Sequence, residues 1–378
     1  MHNRRRLLVA VLGIGFAVVL MFMQTGFRNA LFDSTVRVIE VLNADLVLVN
    51  RAQQALPSKQ TFSYRRIHQA RGCPGVEGVY PLYSETPFAL WKPVGDKGYP
   101  IRTLGSELGD PVFLIPEVQQ HQDELSAPGT ALIDTKTKPK YGIPSTAEAV
   151  RRHRGAELAD RSIQLVGTFQ MGTDFANDGN LIMSAGNFAH YFPFRAGSAD
   201  PLSIVDLGVV RLEPDADVND VKRRLDAMLP DDVVSYTKEE FIQNEKAFWA
   251  RSTPIGYIFG TGTVMGFVVG VIICYQVIYS SISDYLSEFA TLKAMGYRNR
   301  YFVNVVFATA FYLSVLSFIP GLLISLALYK ILAASTGLLL ILSFWRAALV
   351  FLLTLTMCSV SGCLAVRRVL AADPAELF

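Results

Sequence analysis

Charge is missing from four long stretches of this 378-residue chain. No Asp, Glu, Lys, Arg or His occurs in Leu7–Met23, Ile255–Tyr279, Tyr301–Tyr329 or Ala347–Val366. A helix needs roughly 20 mainly apolar residues, about 17 to 25, to cross the hydrocarbon core of a bilayer. Each stretch is therefore a candidate span. The lack of intramembrane acids and bases argues against an ion-coupled transporter, which needs such groups or ion ligands for coupling. Gln24, Gln276 and Asn304 are poor substitutes, and four spans are few for an alternating-access cavity.

Cysteine is scarce, with four in the whole chain, so there is no disulfide framework. Cys274, Cys358 and Cys363 fall inside the apolar stretches and read as small packing residues. Cys73 has no evident intrachain partner and reads as structural. Catalytic signatures are also absent. There is no G-x-x-x-x-G-K-[ST], so ATP is not bound through a phosphate loop, and there is no H-E-x-x-H or G-x-S-x-G. The sharpest polar cluster is His121-Gln122-Asp123-Glu124, which suits a solvated charged turn better than a metal or acid–base site. His68, His153 and His190 lack ligand spacing, and Gly260-Thr261-Gly262 lies inside a span rather than after a strand. No catalytic, cofactor or metal site is expected on this chain. A net charge of +2 with no large basic patch gives no sign of a nucleic-acid partner.

What is present is an α-helical membrane protein with an α+β extracytoplasmic domain inserted between the first and second of four transmembrane helices. Hydrophobic residues make up 51% of the chain, diluted by that domain to a mean hydropathy of +0.30. The expected layout is a cytoplasmic N-terminus (1–6), span one (7–27), the inserted domain (28–253), span two (254–279), a loop (280–300), span three (301–329), a short outer loop (330–346), span four (347–366) and a tail (367–378). Arg4–Arg6, then Lys293, Arg298 and Arg300, then Arg367 and Arg368 all fall on one side. The positive-inside rule makes that side the cytoplasm of a bacterial inner membrane, with both termini inside. Lys330 and Arg346, in the outer loop, can snorkel to the interface. Arg4–Arg6 ahead of an apolar run also resemble a secretory signal. The run is longer than a signal core of about 7 to 15 residues and meets no small-residue cleavage site, so it reads as an uncleaved anchor.

In the inserted domain, alternating or β-branched runs predict strands at Asp45–Val49, Val76–Tyr83, Pro87–Trp91, Ser162–Phe169 and Ile204–Leu212. A short helix is expected to open at Thr61-Phe62-Ser63 and run through Gln69. Asp217 should cap a helix over Val218–Met228, with Val218, Val221, Leu225 and Met228 on its apolar face. Thr237 and Glu240 fit a capping box for a helix that continues toward the membrane and breaks near Pro254. Lys136–Arg154 reads as a loop-rich insertion. Two small lobes, divided near 110–120, are expected.

Two features of the spans stand out. Gly262, Gly266 and Gly270, four apart, give span two a smooth face for close helix packing, within the unit or across a dimer. Pro320-Gly321 in span three is a candidate kink or hinge. Between spans two and three, Ile282, Tyr285, Leu286, Phe289 and Leu292 share a helical face, opposed by Asp284, Ser287 and Thr291 with Glu288 at the edge. Gly296 is a natural stop. Such a helix rests on the lipid surface or docks in a groove of a partner.

Ser287-Glu288-Phe289-Ala290-Thr291-Leu292-Lys293-Ala294-Met295-Gly296-Tyr297 resembles the cytoplasmic segment of FtsX-like/MacB-like permeases, and more closely the DevC-type permeases of ABC exporters. The resemblance extends to Met21-Phe22-Met23-Gln24, Gly26-Phe27, Ala44-Asp45-Leu46-Val47-Leu48 and Asp178-Gly179-Asn180-Leu181. It continues through Ile255-Gly256-Tyr257-Ile258-Phe259, Met265-Gly266-Phe267 and the tail Ala371–Phe378, where Asp373, Pro374 and Glu376 are helix-start residue types. It departs before the first span, where members of this family carry an amphipathic lead-in and only six residues precede Leu7 here.

The resemblance implies a homodimeric permease with no cofactor of its own, moved by a separate ABC ATPase that binds ATP and Mg. It also implies a periplasmic adaptor (membrane fusion protein) and a TolC-like outer-membrane channel. Cargo, glycolipid in relatives, would be driven from the periplasm without crossing the permease. Glu288 and Lys293 would be polar contacts to the ATPase, with Phe289 and Leu292 as anchors. Two alternatives are an FtsX-like regulator of an envelope hydrolase and a membrane-anchored metal-dependent enzyme built on His121–Glu124.

Overall fold

A computed structural model describes residues 2–93, 97–144, 147–152, 155–174, 176–285, 288, 291–293, 295–336, 340 and 342–371. The chain divides into two compact units: Met1–Ala30 with Thr253–Phe378, and Leu31–Ser252.

The first unit holds the charge-free stretches. They lie in α1 (His2–Thr35) and in three helices that follow the inserted domain. By length and composition all four can cross a membrane, over Leu7–Thr35, Pro254–Asp284, Asn299–Ala333 and Phe344–Val366. Each helix outruns its expected span. Loss of apolarity marks where hydrocarbon ends, whereas a helix stops only where its hydrogen bonding is broken by a cap, Gly or Pro. Phe27–Thr35 contains no such breaker, so α1 continues through it.

The second unit, the inserted α+β domain, begins with α2 (Arg37–Glu40), β1 (Leu46–Asn50), β2 (Phe62–Ser63) and α3 (Arg65–Arg71). Then come β3 (Val76–Glu85), β4 (Leu90–Lys92), β5 (Tyr99–Pro100), β6 (Arg102–Ser106), α4 (Pro116–Gln120), α5 (Gln122–Ser126) and β7 (Thr130–Asp134). After α6 (Ala147–Arg152) follow β8 (Glu157–Leu158), β9 (Arg161–Ser162), β10 (Gln164–Phe169), β11 (Asn180–Ser184) and α7 (Ala185–Tyr191). The domain ends with β12 (Ile204–Val205), β13 (Leu207–Leu212), α8 (Val218–Met228), β14 (Val233–Thr237) and α9 (Lys238–Ser252). The remaining helices of the first unit are α10 (Pro254–Asp284), α11 (Asn299–Thr336) and α12 (Phe344–Ala371).

Eight strands form one mixed sheet in the order β10-β7-β11-β6-β3-β13-β1-β14. Alternation along β1 explains its burial on both faces. Leu46 and Leu48 enter the core under α3 and α8, while Val47 and Val49 enter the core under α2 and α9. A small sheet, β5-β4-β8-β9, carries buried Trp91, whose indole N–H donates to the Tyr141 carbonyl at 3.0 Å.

The expected division near 110–120 is not found. β6 pairs in parallel with β11, so the sheet runs straight across that point. Sequence order hides this, because parallel neighbours need a long crossover. The helix expected from Thr61–Ser63 begins later, since Phe62 and Ser63 pair with Val205 and Ile204 as a short ladder that buries Phe62. Pro87–Trp91 is strand only from Leu90. Asp217 caps α8 as expected, accepting from Asp220 N at 2.8 Å, but its buried face is narrower: Val221 and Leu225 are buried, Val218 and Met228 exposed. The capping box closes in both directions. Thr237 N donates to Glu240 Oε2 at 2.9 Å, and Glu240 N to Thr237 Oγ1 at 3.1 Å. α9 stops at Ser252, and Pro254 opens α10 at a position where a missing N–H costs nothing.

Candidate functional site

In the helical unit, Gly262, Gly266 and Gly270 of α10 are where two neighbouring helices come close. A Cβ on Gly262 would meet Gln24 Oε1 at 2.6 Å, and one on Gly266 would touch Leu20 and Met21 at 3.5 Å. A Cβ on Gly270 would collide with Met357 Sδ and lie 2.9 Å from Ala17 Cβ. The small-residue face thus serves packing against α1 and α12 of the same chain. Gly26 is matched in the same way to Tyr329, whose hydroxyl donates to the Phe22 carbonyl. α11 stays helical through Pro320. At Gly321, an added Cβ would lie 2.7 Å from Val18 Cγ1, so this residue is also a packing position for α1.

The segment between α10 and α11 ends in a defined stop. Gly296 has φ of +91°, the left-handed region that a side chain strains to reach. Tyr297 N donates to Leu292 O at 3.2 Å and Gly296 N to Lys293 O at 3.1 Å. This pair of bonds is a Schellman motif, which satisfies the last carbonyls of a helix. Upstream, the single amphipathic face drawn from Ile282 to Leu292 is interrupted. α10 ends at Asp284, and Tyr285 is its C-cap. Ile282 is therefore buried in the four-helix core rather than presented for docking. Tyr285 and Glu288 are exposed, and Leu292 and Lys293 are half-buried helical residues. Leu286 and Phe289 lie outside the described residues, as does the tail with Asp373, Pro374 and Glu376.

Residues 260–374, which include the Gly262–Gly270 face and this segment, match the model of the FtsX-like permease C-terminal family. The chain carries an FtsX-like permease domain. Four helices are long and apolar enough to cross a membrane, with an α+β domain between the first and second. Comparison with curated proteins gives no match. Among solved structures, the extracellular domain of the noncanonic ABC-type transporter YknZ from Gram-positive bacteria is 11% identical, covering 52% of this chain and 100% of that one, with a TM-score of 0.33. The periplasmic region of MacB from Actinobacillus actinomycetemcomitans is 11% identical, covering 56% and 96%, with a TM-score of 0.35. A domain of a permease protein from Porphyromonas gingivalis is 15% identical, covering 50% and 85%, with a TM-score of 0.32.

The inserted domain ties together its own two end segments. Lys246 on α9 pairs with Asp33 near the end of α1 at 2.8 Å. Lys238 Nζ, at the start of α9, donates to the carbonyls of Glu40 at 2.9 Å and Leu42 at 2.6 Å. Burial holds the Lys238 ammonium below the usual lysine range. Deeper in α9, Glu245 accepts from Leu56 N at 2.9 Å and from the Trp249 indole at 2.8 Å. Its burial pushes its carboxyl above the usual range.

The resembling motifs of the inserted domain also have structural partners. Asn180 donates to Asp134 at 2.8 Å and accepts from Arg102 Nε at 2.8 Å, while Arg102 pairs with Asp174 at 2.6 Å. Sequence reasoning missed Arg102 and Asp174, because nothing local marks a buried ion pair 72 residues apart. Asp178 is pushed up by burial, but hydrogen bonds from Lys138 and Lys140 outweigh this and leave it below the usual range.

His121 is a local structural residue: Nδ1 lies 2.8 Å from the Glu117 carbonyl, and Nε2 lies 3.1 Å from Arg151 Nη2. Among the described residues no group of three or more His, Cys, Asp or Glu is arranged to hold a metal ion. Cys73 is buried in the core beside α3, which raises its thiol above the ordinary range. Cys274 and Cys358 pack inside the helical core, whereas Cys363 is exposed on it.

Proposed function

We propose that this chain is the permease subunit of an ABC-type exporter in the bacterial inner membrane, moved by a separate ATPase. The observation that carries the reading is the segment from Tyr285 to Gly296. It lies within the matched permease domain, between two helices able to span the membrane, and it ends in a Schellman stop that fixes its last turn. A short helix with exposed Glu288 and a defined end suits docking into a groove of a partner. The four charge-free stretches carry no Asp, Glu, Lys, Arg or His to harness an ion gradient, so in this reading the work comes from another chain. Positive charges in the chain favour a cytoplasmic placement for the segment and for both termini, and an outward placement for the inserted domain.

In this reading, ATP and Mg sit on the partner. Tyr285, Glu288, Leu292 and Lys293 meet it, together with Leu286 and Phe289. The paired α1 end and α9 carry motion into the inserted domain. The DevC-type motifs support the finer assignment: a homodimer working with an adaptor and a TolC-like channel, with glycolipid as cargo class. Leu292→Asp is expected to leave the chain in the membrane at wild-type levels while cutting transport-coupled ATP hydrolysis at least tenfold. Undiminished coupling would overturn the assignment. Recovery of an envelope hydrolase instead of an adaptor in a detergent pull-down would favour the FtsX-like regulatory reading.

A further inference from the structure

We propose that His121 and Arg151 form a proton-sensitive clasp across the open edge of the inserted domain's large sheet, closed at neutral pH and loosened by acid. β10 is the terminal strand of that sheet, and among the described residues it pairs with β7 alone. Such a strand leaves a row of backbone groups open to a further strand, and proteins commonly cover it. Here the strand is held from both faces. Val150 of α6 is buried in one core with Leu165 of β10, and Leu125 of α5 in the other core with Val166. Consecutive strand residues point to opposite faces. His121, between α4 and α5, lies on the second face, while Arg151 follows Val150 on α6. Their contact at 3.1 Å therefore passes across the edge of β10. Gly167 of β10 makes room for the ring, since a Cβ there would lie 2.6 Å from His121 Nε2.

The partners of the ring fix its protonation state. Nδ1 lies 2.8 Å from the Glu117 carbonyl, which only accepts, so Nδ1 carries a hydrogen. Arg151 only donates, so Nε2, 3.1 Å from Arg151 Nη2, is the bare acceptor of a neutral imidazole. A second proton can enter only at Nε2. It turns that acceptor into a donor facing a donor and sets an imidazolium against a guanidinium. Imidazole is the side chain that ordinarily changes charge between pH 5 and 8.

Glu124 sets the direction of the change. Its carboxylate lies 3.6 Å from His121 Nε2 and 3.5 Å from Arg151 Nη2. A protonated ring draws this carboxylate into a charge-assisted hydrogen bond. The His121 side chain is 15% exposed and that of Arg151 52%, so Arg151 is the group that moves into water, and α6 loses its tie to the far face. The other charged residues of the packed elements are Glu117 on α4, exposed Asp123 on α5, the mutually paired Glu148 and Arg152 on α6, and Asp134 on β7. Asp134 is taken up by Asn180 and by Gly172 N, and β10 carries no charged residue. The clasp stands on the inserted domain alone and does not rest on the ATPase reading.

The test is hydrogen exchange of the full-length chain in lipid nanodiscs, read by mass spectrometry at pH 8 and pH 5.5 in the wild type and in His121→Gln. Glutamine offers Arg151 an acceptor and takes up no proton. Intrinsic exchange changes equally in both proteins, so the ratio of their rates isolates the clasp. Over residues 147–152 the ratio of wild type to variant is expected to rise at least fivefold from pH 8 to pH 5.5, with no change over β1. Arg151→Met, which removes the clasp at any pH, should exchange at least fivefold faster than wild type over α6 at pH 8. A ratio that is the same at both pH values overturns the proposal, as does an Arg151→Met protein whose α6 is as protected as in the wild type at pH 8. A matching rise over β1 would mean general loosening of the domain and would overturn it as well.

Discussion

Gly270 and Gly260 lie on the same helix and differ in what surrounds them. A side chain at Gly270 would drive into Met357 and Ala17, while nothing lies within 4 Å of a Cβ at Gly260. Gly270→Leu should lower the stability of the detergent-solubilised helical unit by about 1–3 kcal/mol, the usual range for overpacking. Gly260→Leu should leave it unchanged. Thermal unfolding of both variants checks this.

Glu245 supplies a pH signature. Its folded pKa is raised, so the proton it keeps stabilises the folded state. That contribution is complete below the unfolded value of about 4.3 and is lost as pH rises through the raised folded value. Glu245→Gln has no such group to titrate. The wild type's advantage in thermal midpoint over Glu245→Gln should therefore narrow as pH is raised from 4 toward neutrality. A constant difference would contradict the assignment. The glycine face was readable from sequence because its spacing is local. Glu245, Arg102 and Asp174 were not, because their burial depends on strands and loops far away in the chain.

At the level of elements, local signals held where a short motif defines its own geometry. The Thr237–Glu240 box, the Asp217 cap and the Gly296 stop are all of this kind. The helical wheel across Ile282–Leu292 did not register the end of α10 at Asp284, because periodicity carries no signal of where a helix stops. Gly296→Val should strain the Schellman turn by about 1–3 kcal/mol, fraying residues 291–296. Circular dichroism of the whole chain should barely change, while stimulation of a co-expressed ATPase should fall several-fold. Lys246 and Asp33 link α9 to the end of α1, with side chains about one-third exposed. A double-mutant cycle of Lys246→Met and Asp33→Asn should give a coupling of roughly 0.2–1 kcal/mol, the range for partly exposed pairs.

For the whole molecule, the four charge-free stretches already dictated the membrane class and the insertion point of the α+β domain. What sequence order concealed was that the inserted domain is organised by one eight-stranded sheet. Its parallel β6–β11 pairing joins residues on either side of the expected split. In the proposed function the segment from Tyr285 to Gly296 faces the cytoplasm, where a motor can hold it. Glu288→Cys, in a background where exposed Cys363 is Ser, can be challenged with a membrane-impermeant maleimide on spheroplasts and on inverted vesicles. The Glu288→Cys variant should be labelled in inverted vesicles alone. Labelling in intact spheroplasts would place the segment outside the cell and contradict the proposed function.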